Sequence, residues 1–256
     1  MNHFSSPICL LLLSFCISGC TTSQVGRGII ERTESFMSGG RRIEVETFAP
    51  STTGRYPTVL VLHSSAGMIL GKSALVDLCR KLAAQGKMAM LVHYFDRTDT
   101  HWGSRAAIAK LWPIWAETVE DAMNQAAADP RVRPDSIGVF GYSLGAFLAV
   151  AVASKDKRVV AVVEVSGGIF DALKGKLKRV PPTLILHGKS DQVVSLSYAL
   201  ALAEAARKLG RPVSEKLYDG EGHVLSKQAM SDAMMLSLKF FDMHLPENQL
   251  ELQNAN

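Results

Sequence analysis

Past its first twenty residues the sequence holds a single cysteine. Cys9, Cys16 and Cys20 crowd the start of the chain, and Cys79 stands alone in the rest. One thiol cannot close an internal disulfide, so the fold must be held by its core. Cys79 sits in Leu75-Val76-Asp77-Leu78-Cys79-Arg80-Lys81-Leu82, on the apolar side of a helical pattern, where a buried inert thiol is expected. Net charge is equally scarce, +4 over 256 residues. The densest basic cluster, Lys174, Lys176, Lys178 and Arg179, lies between two strand candidates and reads as a solvated loop. No nucleic-acid motif is present, and the aromatics do not interleave with the basic residues as a stacking platform requires, so no nucleic-acid partner is expected. No spacing of His, Cys and carboxylates suits a metal, His93 and His101 included. Neither metal nor cofactor is expected. Internal repeats are also lacking.

What is there begins with an apolar leader. Ile8 to Ile17 is almost entirely apolar, too short to cross a bilayer as a helix but suited to the h-region of a signal peptide. It ends in Ile17-Ser18-Gly19-Cys20, followed by polar Thr21-Thr22-Ser23-Gln24. This resembles the bacterial lipobox, in which the cysteine is lipidated and opens the mature chain. The resemblance implies a signal at residues 1–19, a lipid anchor on Cys20 and a place in the bacterial cell envelope. The lack of Asp after Cys20 implies the outer membrane. The n-region Met1-Asn2-His3 lacks Lys and Arg, and an ordinary signal peptide or a cytoplasmic protein with an apolar start are the alternatives.

With 47% hydrophobic and 20% charged residues, the remainder is a globular composition able to bury one large core. Residues 20–39 read as a tether with a first strand around Ile29 to Met37, turned back by Ser38-Gly39-Gly40 into a strand at Arg42 to Phe48. Residues 40–245 read as one α/β domain, and 246–256 as a polar tail. Thr58 to His63 is a continuous apolar run, the mark of a strand buried on both faces. A helix capped by Ser73 follows and ends at Gly86, then a strand at Met88 to His93 and a helix from Arg105 to Ala128 broken or kinked at Pro113. Strands at Ser136–Phe140, Val159–Val165, Thr183–His187 and Val213–Tyr218 alternate with helices at Leu144–Ala153, Leu196–Leu209 and Leu225–His244. The alternation predicts a mostly parallel sheet of seven or eight strands with helices on both faces.

Ligands of such sheets bind beyond the carboxyl ends of the strands, so the residues that end strands are the ones to inspect. Gly141-Tyr142-Ser143-Leu144-Gly145 places a serine between glycines where strand gives way to helix, the G-x-S-x-G nucleophile elbow. Asp191 follows a later strand in Leu186-His187-Gly188-Lys189-Ser190-Asp191, and His223 follows the last in Tyr218-Asp219-Gly220-Glu221-Gly222-His223. Ser, then Asp, then His is the chain order of α/β-hydrolase triads. His223 would take the proton of Ser143 and return it to the leaving group, while Asp191 would fix its tautomer. Asp219 and Glu164 are weaker candidates for the acid. The expected oxyanion donors are the backbone N–H of Leu144 and that of Ser65, with Ser64 and Ala66 as neighbours within error. Tyr94, Trp102 and Tyr142 are candidates for the substrate pocket. Trp112 and Trp115 lie in the same stretch as Trp102, and burial of these aromatics against the sheet is the competing reading.

The segments Leu60 to Gly67, His93 to Thr98, Gly141 to Gly145, His187 to Val194 and Gly220 to His223 together resemble the dienelactone hydrolase family of the α/β-hydrolase superfamily. The resemblance covers roughly residues 40 to 245. It implies an α/β-hydrolase fold and a small-molecule ester or lactone as substrate. Founding members carry a cysteine nucleophile and a nearby glutamate; here Ser143 and Ser64 stand at those positions, which favours general ester chemistry. A small peptidase of the prolyl-oligopeptidase type and a non-catalytic envelope lipoprotein on the same fold are the rival readings. Natural substrate and oligomeric state are not encoded in any of these segments.

Overall fold

The computed structural model describes residues 28–246, so the leader, Cys20 and the tail from residue 247 lie outside it. These residues build an eight-stranded sheet in the order β1-β2-β4-β3-β5-β6-β7-β8. Strands β1 (Ile29–Ser38) and β2 (Arg41–Pro50) form an antiparallel hairpin closed by Gly39 and Gly40, both at positive φ. That turn geometry matches the right-handed twist of the flanking strands and is open to glycine at both positions. β2 also runs antiparallel to β4 (Met88–Val92). The remaining strands, β3 (Tyr56–Leu62), β5 (Val132–Tyr142), β6 (Val159–Val165), β7 (Thr183–Gly188) and β8 (Val213–Tyr218), pair in parallel with their neighbours. The hairpin, with the first strand expected within residues 20–39, is thus an integral edge of the sheet.

Five helices cover the two faces, and the strands show why both faces need cover. Every residue of β3 is buried: Leu60 and Leu62 point into one core, Val59 and Val61 into the other. Helices α2 (Arg105–Ala128), α3 (Leu144–Lys155) and α4 (Leu196–Lys208) supply Trp115, Leu148 and Leu202 to the first core. Helices α1 (Lys72–Ala84) and α5 (Lys227–His244) supply Leu78, Cys79 and Phe241 to the second. A continuous apolar strand run is the sequence record of this sandwiching. Cys79 is fully buried, and burial pushes its thiol pKa up, which keeps it protonated and inert.

Two local expectations are corrected. α2 runs unbroken through Pro113. The carbonyl that loses its N–H partner belongs to Ala109, an exposed residue on a cavity wall where water can serve it. α1 begins at Lys72 after Gly71, whose positive φ turns the chain, so Ser73 lies within the first turn and makes no cap.

Candidate active site

Ser143 occupies a corner between β5 and α3 with φ +55° and ψ −115°. A non-glycine residue held there costs on the order of 1–3 kcal/mol, so its surroundings must impose the conformation. They do so through close packing. A Cβ on Gly141 would stand 2.2 Å from the carbonyl oxygen of Gly145, and one on Gly145 would stand 2.4 Å from that of Leu62 on β3. Neither position can carry a side chain unless the backbone shifts. The N–H of Ser143 donates to the carbonyl of Val165 on β6 at 2.8 Å, tying the corner to the neighbouring strand.

From this corner the Oγ of Ser143 lies 3.0 Å from His223 Nε2, and His223 Nδ1 lies 2.8 Å from Asp191 Oδ2. A ring nitrogen that faces a carboxylate carries the proton, which leaves a lone pair on Nε2 to accept from the serine hydroxyl. The Asp191 side chain is fully buried, and its other oxygen accepts from the N–H groups of Val193 and Val194, both at 2.8 Å. Those bonds replace water around the carboxylate and orient it. His187 stands beside it, with Nε2 3.3 Å from Asp191 Oδ2 and 3.1 Å from the Val194 carbonyl. Burial lowers the pKa of His187 and so favours its neutral form.

The loop that carries His223 is fixed at several points. The Tyr142 and Ser166 hydroxyls both donate to the His223 carbonyl, at 3.0 and 3.2 Å. Glu221 accepts from the N–H and the hydroxyl of Ser226, the residue that caps α5. Of the two other acids, Asp219 is exposed and paired with Lys189. Glu164 is fully buried on β6, and one of its oxygens accepts the N–H of Gly167 at 2.8 Å. Burial pushes its pKa up to about 8, so it is neutral at pH 7.

A cavity of about 650 Å³ opens above Ser143, lined also by Leu144 and Ser65. Neither Leu144 nor Ser65 uses its N–H in a hydrogen bond among the described residues. The loop of Ser65 is braced. Ser64 Oγ accepts the Ala66 N–H at 3.2 Å, and the Ser65 carbonyl accepts the Gly103 N–H at 2.7 Å. Since the Ala66 N–H is taken, Ser65 is the residue of this loop that offers a free donor on the cavity wall.

The pocket candidates fare differently. Tyr94 is fully buried; its ring stacks on His63 at 4.0 Å and its hydroxyl donates to the His63 carbonyl at 2.8 Å. It supports the loop from below and does not line the cavity, because the chain turns into a short 3-10 helix after His93 and folds the ring inward. Trp102 is 56% exposed and outside the cavity lining, and Tyr142 braces His223. The walls instead combine the rings of Trp112, Phe147, Phe170 and Tyr198 with aliphatic Ile108, Val193 and Val194, and Arg105 is the one charged lining residue. Phe147 was legible: four residues beyond Ser143 on a helix, it faces the same way. Arg105, Phe170 and Tyr198 carry no local signal. The fold also brings Glu44, Glu46 and His93 within 4.8 Å of one another, which no sequence spacing announced. Lys72 and His93 already pair with Glu46 there, two strands away from the serine.

A sequence model of the dienelactone hydrolase family matches residues 43–235. Among curated proteins, the mouse acyl-coenzyme A thioesterase 1 is 26% identical over 151 residues, 58% of this chain and 33% of that protein. The chain spans about a third of the length of such relatives. Among solved structures, a dienelactone hydrolase-like promiscuous phosphotriesterase from metagenomic libraries superposes with a TM-score of 0.71 at 17% identity, covering 84% of this chain and 98% of that one. A puromycin-hydrolyzing peptidase of Mycobacterium tuberculosis superposes with a TM-score of 0.69 at 16% identity, covering 88% of this chain and 41% of the other. Both likenesses are likenesses of fold.

Proposed function

Given that the chain belongs to the dienelactone hydrolase family, we propose that it hydrolyses carboxylic esters, lactones included, through an acyl-enzyme on Ser143. The observation that carries this reading is the hydrogen-bonded line Ser143–His223–Asp191, with links of 3.0 and 2.8 Å. As Oγ attacks the carbonyl carbon, His223 Nε2 takes the hydroxyl proton, and Asp191 stabilises the imidazolium that forms. The carbonyl oxygen becomes an oxyanion and accepts from the N–H groups of Leu144 and Ser65. Each such donor is worth about 10²–10³ in rate. Collapse expels the alcohol, which receives the proton from His223. Water then enters, gives its proton to the same nitrogen and attacks the acyl carbon; collapse expels Ser143 Oγ, which takes that proton back from His223, and the acid leaves. Ser143 replaces the cysteine of founding members, and a serine needs this base because its hydroxyl is a weak nucleophile on its own.

A panel of simple alkyl esters, thioesters and aminoacyl amides tests the reading: ester turnover that Ser143→Ala abolishes supports it, and turnover of amides alone overturns it. Thioester hydrolysis is the second reading. It is favoured by the similarity to acyl-coenzyme A thioesterases and by Arg105, a cavity cation without a carboxylate partner among the described residues.

The lipobox reading extends to place. We propose that Cys20 is lipidated and that the protein is anchored in the bacterial envelope, at the outer membrane. Ile29 pairs with Pro50, at the edge of the sheet away from the Val45–Val92 end and hence away from the catalytic edge. Cys20→Ser is expected to release the protein from membranes, and retention of that variant would contradict the anchor.

A further inference from the structure

Two groups of large aromatic residues stand apart in this fold. Trp115, Tyr94 and Phe241 are fully buried in the two cores. Trp112, Phe170 and Tyr198 are only partly buried, and with Phe147 they line the cavity above Ser143. They come from four separate segments: α2, α3, the connection between β6 and β7, and α4. Such convergence is not the apolar stripe of one helix.

Their mutual geometry is defined. Phe147 and Phe170 stack with centroids 4.1 Å apart and planes 9° from parallel. Trp112 meets Phe170 edge-on at 4.9 Å and 85°, and Tyr198 meets it at 6.4 Å and 76°. Phe170 is therefore the centre of a box, stacked on one ring and flanked by two perpendicular ones. Aromatic rings carry a negative face and a positive edge, so a box with partly open rings offers oriented partners to another ring. A saturated chain would gain burial from the same wall but none of the oriented contacts.

We propose that this box is a subsite for an aromatic ring, and that the substrates of the Ser143 centre are aryl-bearing esters. The proposal rests on the reading of the Ser143 cavity as the substrate site. Phe170 and Trp112 are then specificity-determining residues for the reaction. The cavity, about 650 Å³, has room for a benzyl-sized group together with the ester.

The test separates aromaticity from size by pairing each aryl ester with its cyclohexyl analogue. Methyl phenylacetate against methyl cyclohexylacetate probes the acyl side, and benzyl acetate against cyclohexylmethyl acetate probes the leaving side. The aryl member of at least one pair is expected to have a kcat/KM higher by about two- to tenfold, the range of one oriented ring contact. Phe170→Leu and Trp112→Leu, which keep apolar bulk, are expected to bring that ratio towards one. Binding of the same four esters to Ser143→Ala, followed by tryptophan fluorescence, reads the subsite without turnover. Tighter binding of an aryl ester there supports the subsite even where the wild type hydrolyses none of the four, a result that would overturn only the ester reading. Equal or weaker binding and turnover of both aryl members, or an aryl preference that survives both leucine variants, overturns the proposal.

Discussion

The line of three catalytic candidates and the wall of the cavity above it share one edge of the sheet but are built on different principles. Ser143, Asp191 and His223 are held by short hydrogen bonds, backbone strain and buried carboxylate contacts. The side chains of Trp112, Phe147, Phe170 and Tyr198 pack ring against ring, with Trp112 also against the core beneath and a lysine over the Tyr198 ring. The first arrangement tolerates almost no displacement, whereas the second can be re-formed by any set of rings or branched chains of similar volume. On the proposed reading, the difference separates two properties: the chemistry would reside in a rigid polar line, the choice of substrate in an apolar wall.

Substitutions that break the polar line should be the costliest. Asp191→Asn leaves size and most contacts intact but allows the wrong His223 tautomer, and ester turnover should fall by about 10⁴-fold in steady-state assays. A variant within tenfold of wild type would remove Asp191 from the line. Next in size is Gly145→Ala. Its methyl group meets the Leu62 carbonyl at 2.4 Å, so the chain must shift at the elbow. A loss of about 1–3 kcal/mol in denaturant unfolding is expected, along with lost activity. A comparable Phe170→Leu change in the wall should cost less stability than the elbow alanine.

These contrasts also mark what was legible in the sequence. That Ser143, His223 and Asp191 would meet could be read because each follows a strand and glycines flank the serine, and the structure brings them into one hydrogen-bonded line. The sheet followed from apolar runs such as Thr58 to Leu62, whose continuity records burial on two faces. The cavity wall could be read only in part: Trp112 lies in the aromatic stretch beside Trp102 and does line the cavity, whereas Phe170 and Tyr198 meet only after β6, β7 and α4 are assembled. Tyr94 looked like a pocket residue because it follows a strand at the catalytic edge. Its ring is instead folded under the loop of His63, a direction that no spacing encodes. Pro113 misled in the opposite sense: its helix continues because the orphaned carbonyl faces water.

A further effect distinguishes the two regions by pH. The Glu164 carboxyl, under the elbow, is pushed up to about 8 by burial, against an ordinary value of 4.5. Between those values the folded protein holds a proton that the unfolded chain has lost. This group therefore lowers stability as pH rises from about 4.5 to about 8, and its contribution is flat above. Glu164→Gln should lose less stability than wild type between pH 5 and pH 8 in denaturant titrations, whereas Phe170→Leu should keep the wild-type slope. Identical slopes for Glu164→Gln and wild type would show that Glu164 is not neutral in the fold. The smallest effect is expected for Tyr142→Phe. It removes one of two hydroxyl donors to the His223 carbonyl, and kcat/KM should drop by about two- to tenfold, the worth of one ordinary hydrogen bond.

The central claim is that Ser143 is the nucleophile of an acyl-transfer site. Intact-mass spectrometry of the folded protein after exposure to a fluorophosphonate tests it most directly. One adduct is expected on the wild type, mapped to Ser143 by peptide digestion, and none on Ser143→Ala. A folded wild type that gains no mass, or an adduct that persists in the alanine variant, would contradict it.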